Sequence, residues 1–258
     1  MTSMAFSGPL LDDIDVFCAS GLHEREAALH ELCKHLGSDW SPGTPTLAED
    51  SLPLRHRPTG LDFVAVPGGE FEMGLTEEDL RAASYFADWT AYIAEAADAI
   101  RKDLGPPRRV RVAPFLVARR LLSTRDRGSI EIPRGATERR HLVETDFSPA
   151  VTLASNLALR LPSEAEIEWC LRDGGRSRLV LGLFEWYMGT LASYEDALRS
   201  RFGLDELDIG QWAVGAGDDG VIRSGGFGPV LVSQEEVLGA LPGRRYRRPS
   251  AAIRFCAR

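Results

Sequence analysis

The sequence predicts an α+β domain, and three observations carry that prediction. Strand-like alternation occupies "LDFVAVPGGEFEMG" at 61–74 and "RRVRVAPFLVARRLL" at 108–122, with a last short run, "AAIRFCAR", at 251–258. Helical signatures lie elsewhere, as a 3.6-residue apolar stripe at 22–36 and a capping box at 163–166. Strands near both ends with helices between them imply termini that meet in one sheet.

A short helical segment is expected around Asp12–Ala19. From Leu22 to Leu36 the residues Leu22, Leu29, Leu32, Cys33 and Leu36 fall on one side of a helix, and Gly37 supplies its stop. Residues 38–60, "SDWSPGTPTLAEDSLPLRHRPTG", hold four prolines and no periodicity, so they read as an extended linker. Residues 1–37 are then an N-terminal helical arm, and the main domain spans 61–258. It opens on a hairpin that turns at Pro67-Gly68-Gly69. Thr76 and Asp79 start a helical insertion at about 76–104, rich in apolar and aromatic side chains and closed by Gly105-Pro106-Pro107. "PAVTLA" at 149–154 reads as a strand. In "RLPSEAEIEW" at 160–169, Ser163 caps a helix while Glu166, three residues on, bonds back. Glu164, Glu166 and Glu168 add negative charge near the positive end of that helix, which stops at Gly174-Gly175. "FGLDELDIGQWAVG" at 202–215 reads as a solvated turn carrying Asp205, Glu206 and Asp208, followed by a strand.

A net charge of -8 argues against a general nucleic-acid binder, which needs a continuous excess of Lys and Arg. The local exception is "GRRYRRP" at 243–249. Four cysteines, Cys18, Cys33, Cys170 and Cys256, lack C-x-x-C spacing and fit neither a disulfide framework nor a zinc ribbon. The N-terminus has no basic n-region, and no apolar stretch approaches the ~20 residues that span a bilayer. The expected location is cytoplasmic, with no membrane partner.

The order of segments resembles the formylglycine-generating enzyme, or sulfatase-modifying factor, domain family. "FVAVPGGEFEMG" (63–74) is similar to its opening hairpin, and "RRVRVAPFLVARRLLS" (108–123) to its next strand pair. "PAVTLASNLALRLPSEAEIEWCLRDGG" (149–175) resembles the segment that leads through R-L-P-[TS]-E-A-E-W-E to Gly-Gly. "FGLDELDIGQW" (202–212), "VIRSGGF" (221–227) and "IRFCAR" (253–258) resemble the three that follow. The resemblance covers roughly 61–258 and implies a C-type-lectin-like fold with little regular secondary structure. In the family's catalytic members a cysteine pair after the fifth segment binds copper and uses oxygen to convert a substrate cysteine to formylglycine.

Here the matching stretch, 226–255, contains no cysteine. Cys256 falls on a packing position of the resemblance. The family's calcium-supporting N-V-W-E-W segment is altered, with Gly210, Ala213 and Val214 replacing its amide, carboxylate and second tryptophan, so no calcium is expected there. The helix that the family carries before R-L-P is nearly deleted on this reading.

The remaining metal candidates are poor. His23, Glu26, His30 and Cys33 share a helical flank but spread over three turns, too far to converge on one ion. His141, Glu144 and Asp146 are the best available oxygen and nitrogen ligands for an iron site, with no second histidine nearby. The expectation is therefore a degenerate, catalytically inactive family member with no cofactor or metal, acting as a binding or scaffolding module for a protein partner. An oxygen-dependent iron or copper enzyme with a non-standard ligand set is the alternative. Candidate contact residues are Arg244, Arg245, Tyr246, Arg247 and Arg248, together with Trp89 and Tyr92 of the insertion, where Tyr85 and Phe86 also lie. Nucleic acid is expected only as a local contact of the 244–248 cluster.

Overall fold

The computed structural model describes residues 10–74, 76–78, 106–139, 141–176, 200–207, 211–215, 220–223 and 251–257. It is a mixed α+β protein with three sheets and four helices among the described residues.

The chain begins with helices α1 (Ile14–Ala19) and α2 (Leu22–Leu36). Asp13 caps α1 by accepting from the backbone N–H groups of Asp15 and Val16. Strands β1 (Trp40–Pro42), β2 (Leu52–His56), β3 (Leu61–Val66) and β4 (Gly69–Met73) follow. Next among the described residues come β5 (Arg108–Val112) and β6 (Phe115–Ala118), a 3-10 turn at Thr124–Gly128, and β7 (Thr137–Arg139) with β8 (Leu142–Thr145). Helix α3 (Phe147–Asn156), β9 (Leu159–Arg160) and helix α4 (Glu164–Leu171) complete the middle. The last strands are β10 (Gln211–Val214), β11 (Gly220–Arg223), β12 (Ala251–Ala252) and β13 (Cys256–Ala257).

Six strands form the central sheet in the order β1-β2-β3-β6-β13-β9, five form a second in the order β11-β10-β12-β8-β7, and β4 and β5 make a separate ribbon. Strand β13 is inserted between β6 and β9, with Cys256 opposite Val117 on one side and Arg160 on the other. The first and last strands of the 61–258 segment, β3 and β13, lie in one sheet with β6 between them.

The central sheet is buried on both faces, and alternation along its strands sorts side chains into two cores. Leu61, Phe63, Ala65, Leu116, Ala118 and Phe255 face one, shared with α2 and α3. Val64, Val66, Val117 and Cys256 face the other, shared with Ile14 of α1 and Trp169 of α4. Trp169 is fully buried, donates its indole N–H to the Pro67 carbonyl at 2.8 Å and meets Phe71 edge-on. Its slot is closed by Gly175 at φ +76, where a Cβ would stand 2.7 Å from that of Phe71.

Several sequence expectations need correction. Residues 38–60 are no linker: β1 and β2 lie within them and pair with each other and with β3. The prolines fit because β1 ends at Pro42, and Pro53, which lacks an N–H, still offers its carbonyl to Gly43 at 2.8 Å. The 1–37 arm packs on the body through α1 and α2, with hydrogen bonds from Ile14 N to Gly68 O and from Gly68 N to Leu11 O. On α2 the stripe is led by buried Arg25 rather than Leu22, which is 41% exposed.

"PAVTLA" belongs to helix α3, not to a strand. Ala150, Leu153, Ala154 and Leu157 recur at helical spacing against the core, and Pro149 sits in the first turn, where its missing N–H costs no helical bond. A helix does therefore precede R-L-P, contrary to the expectation that one is nearly deleted there. The expected helix at 76–104 lies outside the described residues except for 76–78. No helix among the described residues is long and apolar enough to cross a membrane.

Candidate functional site

Buried and half-buried charged side chains form much of the internal frame of the described residues. Two of them form the same device twice. Arg160 grips Glu166 with two guanidinium nitrogens at 2.7 and 2.5 Å, and Glu166 accepts the Ser163 backbone N–H at 2.7 Å. Arg120 grips Asp126 at 2.8 and 2.6 Å, and Asp126 accepts the Ser123 backbone N–H at 2.9 Å. In each case the arginine also donates to the carbonyl of the next residue, Leu161 or Leu121. The shared pattern is R-L-x-S-x-x-[D/E], at 120–126 and 160–166. Both copies start at the ends of strands that flank β13, so two bidentate forks brace the seat of that strand.

Burial alone would raise the Asp126 carboxyl, but hydrogen bonds from Arg120 and Ser123 outweigh it and hold the group below the usual carboxylate range.

Arg254, two residues before Cys256, is wholly buried. It donates to Gln211 Oε1 at 2.7 Å and to the carbonyls of Ala118, Arg119 and Asp205. Burial lowers its pKa, and Glu206 opposes that from nearby. Glu206, expected in a solvated turn, is half-buried at φ +59 and accepts the Leu121 N–H at 2.8 Å, whereas Asp205 is exposed as expected.

Glu168 corrects a second reading. It is 1% exposed, too far into α4 to act as a cap, and binds the Gly74 N–H at 2.7 Å and Arg172 Nε at 3.0 Å. Arg172 in turn donates to the Gly74 carbonyl. This pair fixes the end of β4.

A third cluster gathers around Asp50, which meets Arg176 at 2.8 Å, Arg201 at 3.0 Å and Arg25 at 4.0 Å. Arg25 is buried, stacked over Phe17 at 4.4 Å, and bonded to the carbonyls of Phe17, Thr46 and Glu49. Arg176 reaches the Cys18 thiol at 2.7 Å. Here the arm, the 43–51 loop and both flanks of segment 177–199 are tied together.

The sulfur chemistry follows from burial. Cys170 and Cys256 are buried in one core, and burial pushes both thiols up, Cys170 well above the ordinary value. Cys18 and Cys33 are half-buried on α1 and α2, and desolvation raises these thiols too.

Of the other candidates, His23, Glu26 and His30 stand exposed on α2, with His30 Nδ1 2.8 Å from the Glu26 carbonyl. His141 occupies the β7–β8 turn at φ 67, 3.4 Å from Glu138, while Glu144 is half-buried on β8 and Asp146 precedes α3. Among the described residues no group of three or more His, Cys, Asp and Glu side chains is arranged to hold a metal ion. Trp89, Tyr92, Tyr85, Phe86, Arg244, Arg245, Tyr246, Arg247 and Arg248 lie outside the described residues.

Sequence reasoning missed Arg25, Arg254 and the Glu168–Arg172 pair. The two forks had a signal that could have found them, since the R-L-x-S-x-x-[D/E] repeat can be read directly from the chain.

No protein-family model matches the sequence, and no curated protein matches it either.

Proposed function

We propose that the protein is a non-catalytic member of the formylglycine-generating-enzyme-like, C-type-lectin-like class, serving as a binding or scaffolding module for a protein partner. The observation that carries this reading is the distribution of sulfur. The reaction of that class requires two cysteines presented together as thiolates. Here 226–255 holds none, two of the four thiols are sealed in the core, and the other two ride on the N-terminal helices. The mixed architecture and the Ser163 capping box in the R-L-P-S-E-A-E segment are compatible with the class. The partner-binding residues of this proposal are Arg244, Arg245, Tyr246, Arg247 and Arg248, with Trp89 and Tyr92.

Two measurements test it. Tag-free protein loaded anaerobically with Cu(I) or Fe(II), then desalted, should retain far less than one metal per chain and consume no oxygen with a cysteine-containing peptide. Stoichiometric retained metal with oxygen uptake would overturn the reading in favour of an oxygenase. For the binding role, a partner captured from the source cells should be lost when the four arginines are changed to glutamate at unchanged thermal stability. Unchanged capture refutes that assignment of the surface.

A further inference from the structure

The only buried histidine among those described sits at a joint between the N-terminal helices and the central sheet. His56, 5% exposed, ends β2 with Trp40 of β1 opposite it on one side and Leu61 of β3 on the other. Its ring centroid is 4.6 Å from that of Trp40 and 6.0 Å from that of Phe63, and the latter two rings meet edge-on at 5.1 Å. Three rings therefore join the three strands.

The setting of the ring disfavours a charge. Thr59, 1% exposed, accepts the Leu61 N–H on Oγ1 at 3.3 Å and lies 2.9 Å from His56 Nδ1. A hydroxyl has one proton and two lone pairs, so Thr59 can meet Nδ1 in either tautomer. Protonating the ring puts a positive charge into a buried cluster of aromatic rings, away from water.

We infer that His56 is an acid-sensitive latch that holds β1, and with it the C-terminal half of α2, on the body of the protein. Among the described residues β1 is an edge strand paired with β2, while Leu29 and Leu32 of α2 share a core with Trp40 and Leu54. Loss of the ring cluster therefore loosens residues 29–42 before it reaches β3, β6 and β13, while Arg25 still ties the start of α2 to the 43–51 loop.

The surrounding charges favour the neutral form on balance. Burial lowers the imidazole below its ordinary range, and Asp39, at the head of β1, opposes this without reversing it. Arg57, the next residue in the chain, adds positive charge that is also felt at the Cys33 thiol of α2. On β3, Asp62 is committed to Arg55 at 2.9 Å, and on α2, Glu31 pairs with Lys34 at 3.7 Å. Because the folded value is depressed, the latch is fully closed above the ordinary histidine pKa of about 6.5 and is lost as pH falls through the folded value.

The imidazole of His56 is titrated by NMR from about pH 7.5 to about pH 4.5, and backbone hydrogen exchange is followed over the same range after correction for intrinsic rates. His56 should titrate below the ordinary histidine value of about 6.5. Protection of residues 29–42 should fall several-fold along its curve, with that of 115–118 unchanged, and the fall should vanish in His56→Phe. A His56 that titrates at or above the ordinary value, that stays neutral to the end of the range, or whose titration leaves 29–42 protected overturns the inference. So does an equal loss of protection in His56→Phe. If that variant does not fold, the wild-type titration and exchange decide alone.

Discussion

Replacing Glu168 by glutamine tests whether the buried pair at the end of β4 stabilises the fold. Glu168 and Arg172 are 1% and 6% exposed at the side chain, with 3.0 Å between Oε1 and Nε. At an effective dielectric constant of ~20 their attraction is about 5–6 kcal/mol before solvation is counted. Relief of carboxylate desolvation returns part of that. Removing one member of a buried pair costs about 3–5 kcal/mol in practice. Glutamine keeps an oxygen for the Gly74 N–H, so the low end applies, about 3 kcal/mol. Urea unfolding of Glu168→Gln, Arg172→Met and the double variant measures the coupling. The double variant should be at least ~1 kcal/mol more stable than the sum of the single losses allows, because it leaves no buried charge without its counterpart. A Glu168→Gln cost below ~1 kcal/mol, or strictly additive losses, would refute the reasoning.

Three further outcomes are expected. Arg254→Met removes the donor shared by Gln211 and three backbone carbonyls, and should cost about 3 kcal/mol or more, with accelerated hydrogen exchange at 159–160 and 256–257. In native protein a maleimide should label Cys18 and Cys33 first, while Cys170 and Cys256 react only on unfolding; early labelling of Cys256 would contradict its burial. Asp126, held below the usual carboxylate range, contributes stability that is complete above the unfolded value of about 3.9 and is lost as pH falls through the folded value. Wild type should therefore lose stability in that acid window, and Asp126→Asn should lose less.

What was legible in the sequence was local. The bounds of α2 follow from its stripe and Gly37, and the start of α4 from Ser163 and Glu166, because each signal lies within a few residues of the structure it specifies. What was not legible depends on distant partners. Residues 52–56 are a strand only because β3 supplies a template, and their prolines hide that from any local reading. Val151 and Thr152 favour strand by propensity, yet the Ala150, Leu153 and Ala154 face outweighs them once it has a core to meet. Glu168 reads as a surface charge until Gly74, far away in sequence, is brought beside it. The candidate site was less legible still, since the arginine cluster at 244–248 and the aromatics at 85–92 fall outside the described residues.

The insertion of β13 between β6 and β9 also sets an order of events during synthesis. Until residue 257 has left the ribosome, Val117 and Arg160 face an empty lane in the central sheet, and the carbonyls of Ala118 and Arg119 await Arg254. Two neighbouring strand edges stay open until then, a state prone to pairing with other chains. Nascent protein stalled before this segment should therefore bind chaperones and resist proteolysis poorly, and settle only when β13 enters its lane.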